Sequence, residues 1–145
     1  MIRGIFVLRA ISGVLFLIQL TLGILFWTGH ALFLIPLHMA VGLLFVVSLL
    51  SLAVLTARVG APRPPVIILA TLAVVIGVVG FIQAQLLPGP DHWIVRVAHL
   101  ALGILAMPIA GRLPTLLPSR ARRPFCGDPM SRGRGGRSDR VAQRS

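Results

Sequence analysis

The chain has 145 residues, of which 57% are hydrophobic and 12% charged, against about 45–50% apolar and about 25% charged in a soluble domain. Its mean hydropathy of +0.95 excludes a water-soluble globule, and excludes disorder over most of the length. All 14 basic residues are Arg and all 3 acids are Asp, for a net charge of +11, and the single Cys126 excludes an intramolecular disulfide.

Four stretches reach the roughly 20 apolar residues that a helix needs to cross the hydrocarbon core. They cover residues 10–28, 32–57, 65–87 and 94–117. The first follows Arg3 and Arg9 and superficially resembles a signal peptide. It is too long for a typical signal core and lacks an A-x-A-like site after it, so it reads as a span. Thr28-Gly29-His30 marks the first turn. A polar, proline-rich loop from Arg58 to Pro65 marks the second, and Pro88-Gly89-Pro90-Asp91 the third. Pro36 falls at the start of the second span, where a missing N–H is tolerated. Pro108 falls inside the fourth and predicts a kink. The expected architecture is an all-α, integral membrane four-helix transmembrane bundle over residues 1–118.

Arginine placement orients the bundle. With four spans, Arg3, Arg9, Arg58, Arg63 and Arg112 fall on one side, and Arg96 alone breaks the pattern. The excess of positive charge places both termini in the cytoplasm. Trp27 and Trp93 then lie at the outer interface, where indole rings settle. Lys and Asn are absent while Arg, Ala, Gly and Pro abound, a composition that fits a GC-rich bacterial genome and hence the bacterial inner membrane.

The two halves resemble each other. His30 precedes His38 and Gly42 in the first half, as His92 precedes His99 and Gly103 in the second. His38 and His99 are 61 residues apart, and so are Gly42 and Gly103. Matches among Leu, Val, Ala and Gly are cheap in this alphabet, but matches among four His are not. The pattern predicts two duplicated helical hairpins related by an axis normal to the membrane.

Polar residues inside a bilayer are costly and tend to mark function. At 1.5 Å of rise per residue, His38 lies ~9 Å and His99 ~8 Å into their spans. Both spans run in the same direction, so the two imidazoles reach a similar level from different helices. That is what the iron of a b-type heme takes as its two axial ligands. Gly42 and Gly103 lie one turn below each His, where a missing side chain leaves room for a flat macrocycle. Gly23, Gly77 and Gly80 offer the same from the flanking spans. Arg96, three residues before His99, is placed to meet heme propionates with its planar, permanently charged fork. The bland reading of Arg96 is an arginine snorkelling to the interface, and that of the glycines is ordinary small-residue helix contact. His30 and His92 sit at the outer edge, where they cap the site, bond a propionate or are simply solvated. Gln19, Gln83 and Gln85 are intramembrane amides suited to interhelical bonding, with a quinone or substrate cleft as the sharper alternative for Gln83 and Gln85. A zinc site is poorly supported, because two imidazoles with no Cys or Glu nearby make a weak set.

Four helices with histidines in the second and fourth, spaced near sixty residues, resemble one half of the heme A synthase family over residues 10–117. Members of that family contain two similar four-helix bundles, each able to hold a heme between such a pair. More loosely, the pattern is similar to small four-helix membrane b-type cytochromes. This chain departs from the family in having one bundle and no Glu. The catalytic half of those enzymes carries a Glu-x-x-His element, and here Ile35 stands three residues before His38. The resemblance therefore implies the heme-holding half without oxygenating chemistry, an electron carrier or heme-binding protein rather than a catalyst.

From Ser119 the hydropathy collapses into an Arg/Gly-rich tail, residues 119–145, with eight Arg and two Asp. It cannot bury a core, and the expectation is a disordered cytoplasmic segment that meets anionic lipid headgroups, each Arg contributing about 1 kcal/mol near the surface. RNA is the weaker partner for an arginine run beside a membrane. Three functions compete. One is a heme b cytochrome with a redox partner or membrane complex. Another is a non-catalytic scaffold or assembly subunit whose His pair is a structural contact. The third is a small transporter, disfavoured because no acidic residue or broken-helix pair lies at mid-membrane.

Overall fold

Apolar runs of this length have one stable arrangement in hydrocarbon. Each backbone N–H must find its carbonyl within the segment, which means a helix. The computed structural model describes residues 2–117, and among them helices are the only regular elements. They are α1 (Ile2–Trp27), α2 (Ile35–Arg58) with a 3-10 turn at Leu32–Leu34 before it, α3 (Arg63–Ile82), and α4 (His92–Arg112) with a 3-10 turn at Leu113–Leu116 after it. All four are long and apolar enough to cross a membrane. The expected tail, residues 119–145, lies outside the described residues.

The helix ends follow from local chemistry. The N–H of His30 donates to the Leu25 carbonyl (2.9 Å) and that of Gly29 to Phe26 (3.1 Å). Gly29 has φ +77°, so α1 ends in a Schellman motif, which needs a residue that tolerates the left-handed region. The end of α2 repeats the device. Ala61 donates to Thr56 and Gly60 to Ala57, both at 3.0 Å, with Gly60 at φ +88°. Prolines occupy the first turns of α2 and α3, where no intrahelical donor is lost. Helix α4 runs on through Pro108.

Two boundaries differ from the sequence expectation. Helix α1 begins at Ile2, not near Ala10, because Arg3 and Arg9 are good helix formers and do not interrupt it. Helix α3 stops at Ile82, so Gln83 and Gln85 belong to the turns that follow and not to the span. Leu87, before Pro88, stands in the left-handed region at φ +47°, a conformation no right-handed helix continues through. The two hairpins are thus joined differently, α1 to α2 tightly, α3 to α4 through the longer stretch 83–91.

Sequential helices pack antiparallel, and the apolar core gathers in the half of the bundle that carries Arg3, Arg9, Arg58, Arg63 and Arg112. Ile5, Leu49, Leu52, Leu69 and Leu113 are fully buried there, beside Ala53, Ala73, Ala106 and Ala110. Alanines let helix backbones approach closely, the main source of association between helices in lipid. Phe81, Leu43 and Ile67 are among the large apolar side chains that face outward, a surface suited to acyl chains and not to water. Trp27 and Trp93 lie together at the opposite end, both about half exposed.

Buried hydroxyls in this core are all satisfied. The hydroxyls of Ser12 and Ser48 meet between α1 and α2 at 2.9 Å, one donating to the other, while the carbonyls of Leu8 (2.9 Å from Ser12) and Phe45 (2.7 Å from Ser48) stand ready to accept the remaining proton. Thr56 donates to the carbonyls of Leu52 (2.7 Å) and Ala53 (3.0 Å).

Truncating the core should be costly and truncating the rim should not. Leu52→Ala is expected to lose about 2–5 kcal/mol in reversible unfolding from mixed micelles. Leu43→Ala, on the outer face, should stay within about 0.5 kcal/mol of the parent.

Candidate functional site

The other half of the bundle, toward Trp27 and Trp93, is built differently. Three buried side-chain atoms in the described residues have no hydrogen-bond partner: Oε1 of Gln19, Nδ1 of His38 and Nδ1 of His99. They come from α1, α2 and α4.

Close contacts define the layers. On the α1–α2 seam, Ser12 meets Ser48 and Phe16 packs on Phe45 with ring centroids 6.0 Å apart. Gln19 then lies against Gly42, and Phe26 meets the His38 ring edge-on at 5.3 Å. On the α1–α4 seam, Arg9 reaches Gly111, Met107 reaches Gly13, and Phe16 lies against Gly103. On the α3–α4 seam His99 lies against Gly80, and between α2 and α3 Val46 lies against Gly77.

These contacts place Gln19, Gly42, Gly80 and His99 in one layer, with polar side chains from α1 and α4 and bare backbone from α2 and α3. A Cβ on Gly42 would stand 2.6 Å from the Gln19 amide nitrogen, and one on Gly80 would stand 2.9 Å from Cε1 of His99. Only glycine admits these side chains at that distance. His38 lies one turn above, toward the Trp end. The similar depths expected for the two imidazoles therefore become an offset of about one helical turn, ~5 Å. The pairing of Val46 with Gly77 and of His99 with Gly80 sets that offset.

The remaining candidates are distributed as follows. Gly42 and Gly103 both face the interior, but side chains of α1, Gln19 and Phe16, fill the space beside them. Arg96 is exposed, one turn outward from His99 on α4. His92 donates from Nδ1 to the Leu86 carbonyl (3.1 Å) and so ties the 83–91 connection to the start of α4. His30 pairs through Nδ1 with the Thr28 hydroxyl (3.1 Å) in the first turn. Gln83 is half-buried at the end of α3. His38 and His99 both stand in the interior, on α2 and α4, whereas His30 and His92 serve the turns at its edge.

The contribution of α1 is the part not expected from the sequence. Ser12, Phe16, Gln19 and Phe26 recur at offsets of four, three and seven residues. That heptad spacing marks one helix face, and it was legible in the chain. Among the described residues there is no cluster of three or more His, Cys, Asp or Glu. The donors at this site are two imidazoles and one amide. No protein-family model, curated protein or solved structure matches this chain.

The Gly80 contact yields a test of the layer. Gly80→Ala should leave helix content unchanged, because the atom in the way is the far end of a side chain. It should displace the imidazole of His99, read as a shift of that ring's NMR signals with those of His30 unmoved.

Proposed function

We propose that the protein is a multi-pass protein of the bacterial inner membrane that binds one b-type heme between His38 and His99, for single-electron transfer or heme handling. The observation that carries this reading is the pair of interior imidazoles on α2 and α4, each with Nδ1 buried and without a partner. A buried polar group without a partner in a membrane costs several kcal/mol by order of magnitude. Iron bound at Nε2 would fix the proton on Nδ1 of each ring, the tautomer whose N–H an acceptor inside the protein then takes. The donor set fits an iron porphyrin in kind, with two neutral nitrogen ligands, no thiolate or carboxylate, and aromatic walls at Phe16 and Phe26.

When bound, heme supplies a one-electron couple. His38 and His99 would both hold the iron, a ligand set that favours electron transfer over oxygen activation. Arg96, on the outward turn before His99, offers its fork to propionates, with His30, His92 and Gln83 as accessory polar groups at the same edge. Gly42, Gly103 and Gly80 keep the helix backbones from crowding the layer in which Gln19, Phe16 and His99 lie against them. The 61-residue repeat of His and Gly supports an origin by duplication of a hairpin, and the likeness to one half of the heme A synthase family belongs to this reading. The five arginines at the far end of the bundle support a cytoplasmic placement of both termini. With the +6 carried by residues 119–145, they favour anionic lipid headgroups as neighbours there. A redox partner would approach from the Trp side.

A reduced-minus-oxidised absorption spectrum of the detergent-purified chain, expressed with ample heme, tests the proposal. A low-spin b-type α-band is expected, lost in His38→Ala and in His99→Ala. A featureless spectrum, or full heme content in either variant, would sink it and leave the His pair as a structural contact of a scaffold subunit.

A further inference from the structure

The three unpartnered atoms are chemically complementary. Oε1 of Gln19 can only accept a hydrogen bond. Nδ1 of a histidine donates when the ring proton resides there, and it must reside there in a neutral imidazole whose Nε2 is bound to a metal. Ligating histidines nearly always pass that second N–H to an oxygen acceptor, which fixes the ring and raises its basicity as a ligand. Here Nδ1 of both His38 and His99 is buried and unpartnered, and the buried acceptor left without a donor is an amide oxygen on α1.

Packing selects which histidine the amide serves. The α1–α4 seam advances through Arg9 with Gly111, Gly13 with Met107, and Phe16 with Gly103. Continued by one more turn along both helices, that register brings Gln19 of α1 to the level of His99 of α4. The α1–α2 seam confirms the level, since Gln19 lies against Gly42, one turn below His38. At His38 the neighbour on α1 is the ring of Phe26, which offers no acceptor of this strength.

We infer that Gln19 is a positioning residue for His99, its side-chain carbonyl accepting the Nδ1–H of that imidazole when Nε2 serves as a ligand. The inference rests on the heme reading and adds an asymmetry to it. One axial histidine is oriented and made more electron-rich by an amide, while the other is held by an aromatic edge. Gly42 is then the residue that lets a side chain as long as Gln enter the layer.

The test is redox potentiometry of the full-length, heme-supplied protein in detergent, beside Gln19→Leu and Gln19→Glu. Removing the acceptor makes His99 a poorer donor to ferric iron, so Gln19→Leu should keep the α-band and shift the midpoint potential upward. A carboxylate is a stronger acceptor, so Gln19→Glu should shift it downward. A Gln19→Leu protein that binds heme at the parent potential, or at a lower one, overturns the inference while the heme reading stands. Absence of the α-band from the parent overturns both. Should Gln19→Leu fail to assemble, Gln19→Glu decides, since a potential equal to that of the parent rejects the role and a lower one supports it.

Discussion

The bundle depends on one constraint, that a polar group taken into hydrocarbon must find its partner inside the protein. The chain obeys it closely in one half. Ser12, Ser48 and Thr56 are buried, and each hydroxyl has a carbonyl of its own helix within hydrogen-bond distance while Ser12 and Ser48 also meet each other. Against that background the three unpartnered atoms of Gln19, His38 and His99 stand apart. They are not scattered through the fold. They occupy neighbouring layers at the Trp end, where three helices converge. The interior thus satisfies its hydroxyls and leaves two imidazole nitrogens and one amide oxygen unpaired.

Packing divides the work in the same way. The Arg end holds the helices together through Leu49, Leu52, Leu69 and Leu113, interleaved with alanines that bring backbones close. The Trp end substitutes glycine on two helices and long polar side chains on the other two. Glycine contributes nothing to packing itself and forfeits helix propensity, roughly 1 kcal/mol relative to Ala. Gly42 and Gly80 are retained where a Cβ would displace Gln19 or His99. Stability is thus concentrated at one end, and the other end is free to carry side chains that a tightly packed core would not admit.

Much of this was legible in the sequence, for physical reasons. Hydropathy revealed four spans because the demand for an apolar exterior extends over whole helices. Glycine-containing turns located the ends of α1 and α2, since a left-handed residue is required there. The two interior histidines were evident because His is expensive in lipid and the chain has only four. What could not be read was register. Equal depths assumed that α2 and α4 start at one level, but side-chain contacts across α3 set His99 about one turn deeper. The end of α3 was overrun because Leu86 and Leu87 continue the apolar run, while the backbone leaves helical geometry after Ile82 and turns left-handed at Leu87. The glycines were seen as open space for a ligand, whereas in the fold α1 has already placed Phe16 and Gln19 against them. Composition shows that a helix is bare on one side, not which neighbour fills the gap.

Charge links the two ends. Among the described residues Asp91 is the one acid, and it stands at the Trp end, while five of six arginines stand at the other. Among the described residues the Arg end carries no acid, and residues 119–145 hold eight Arg and two Asp. The interior imidazoles lie toward the opposite end of the bundle, with Trp27 and Trp93. On the heme reading that separation has a consequence. A cofactor held there lies near the outer surface and remote from the arginine end, within reach of a one-electron partner on that side and shielded by the tightly packed half from the cytoplasm. Positive charge at one end and ligand-ready nitrogens at the other then serve a single arrangement, in which the first sets the direction that the second uses.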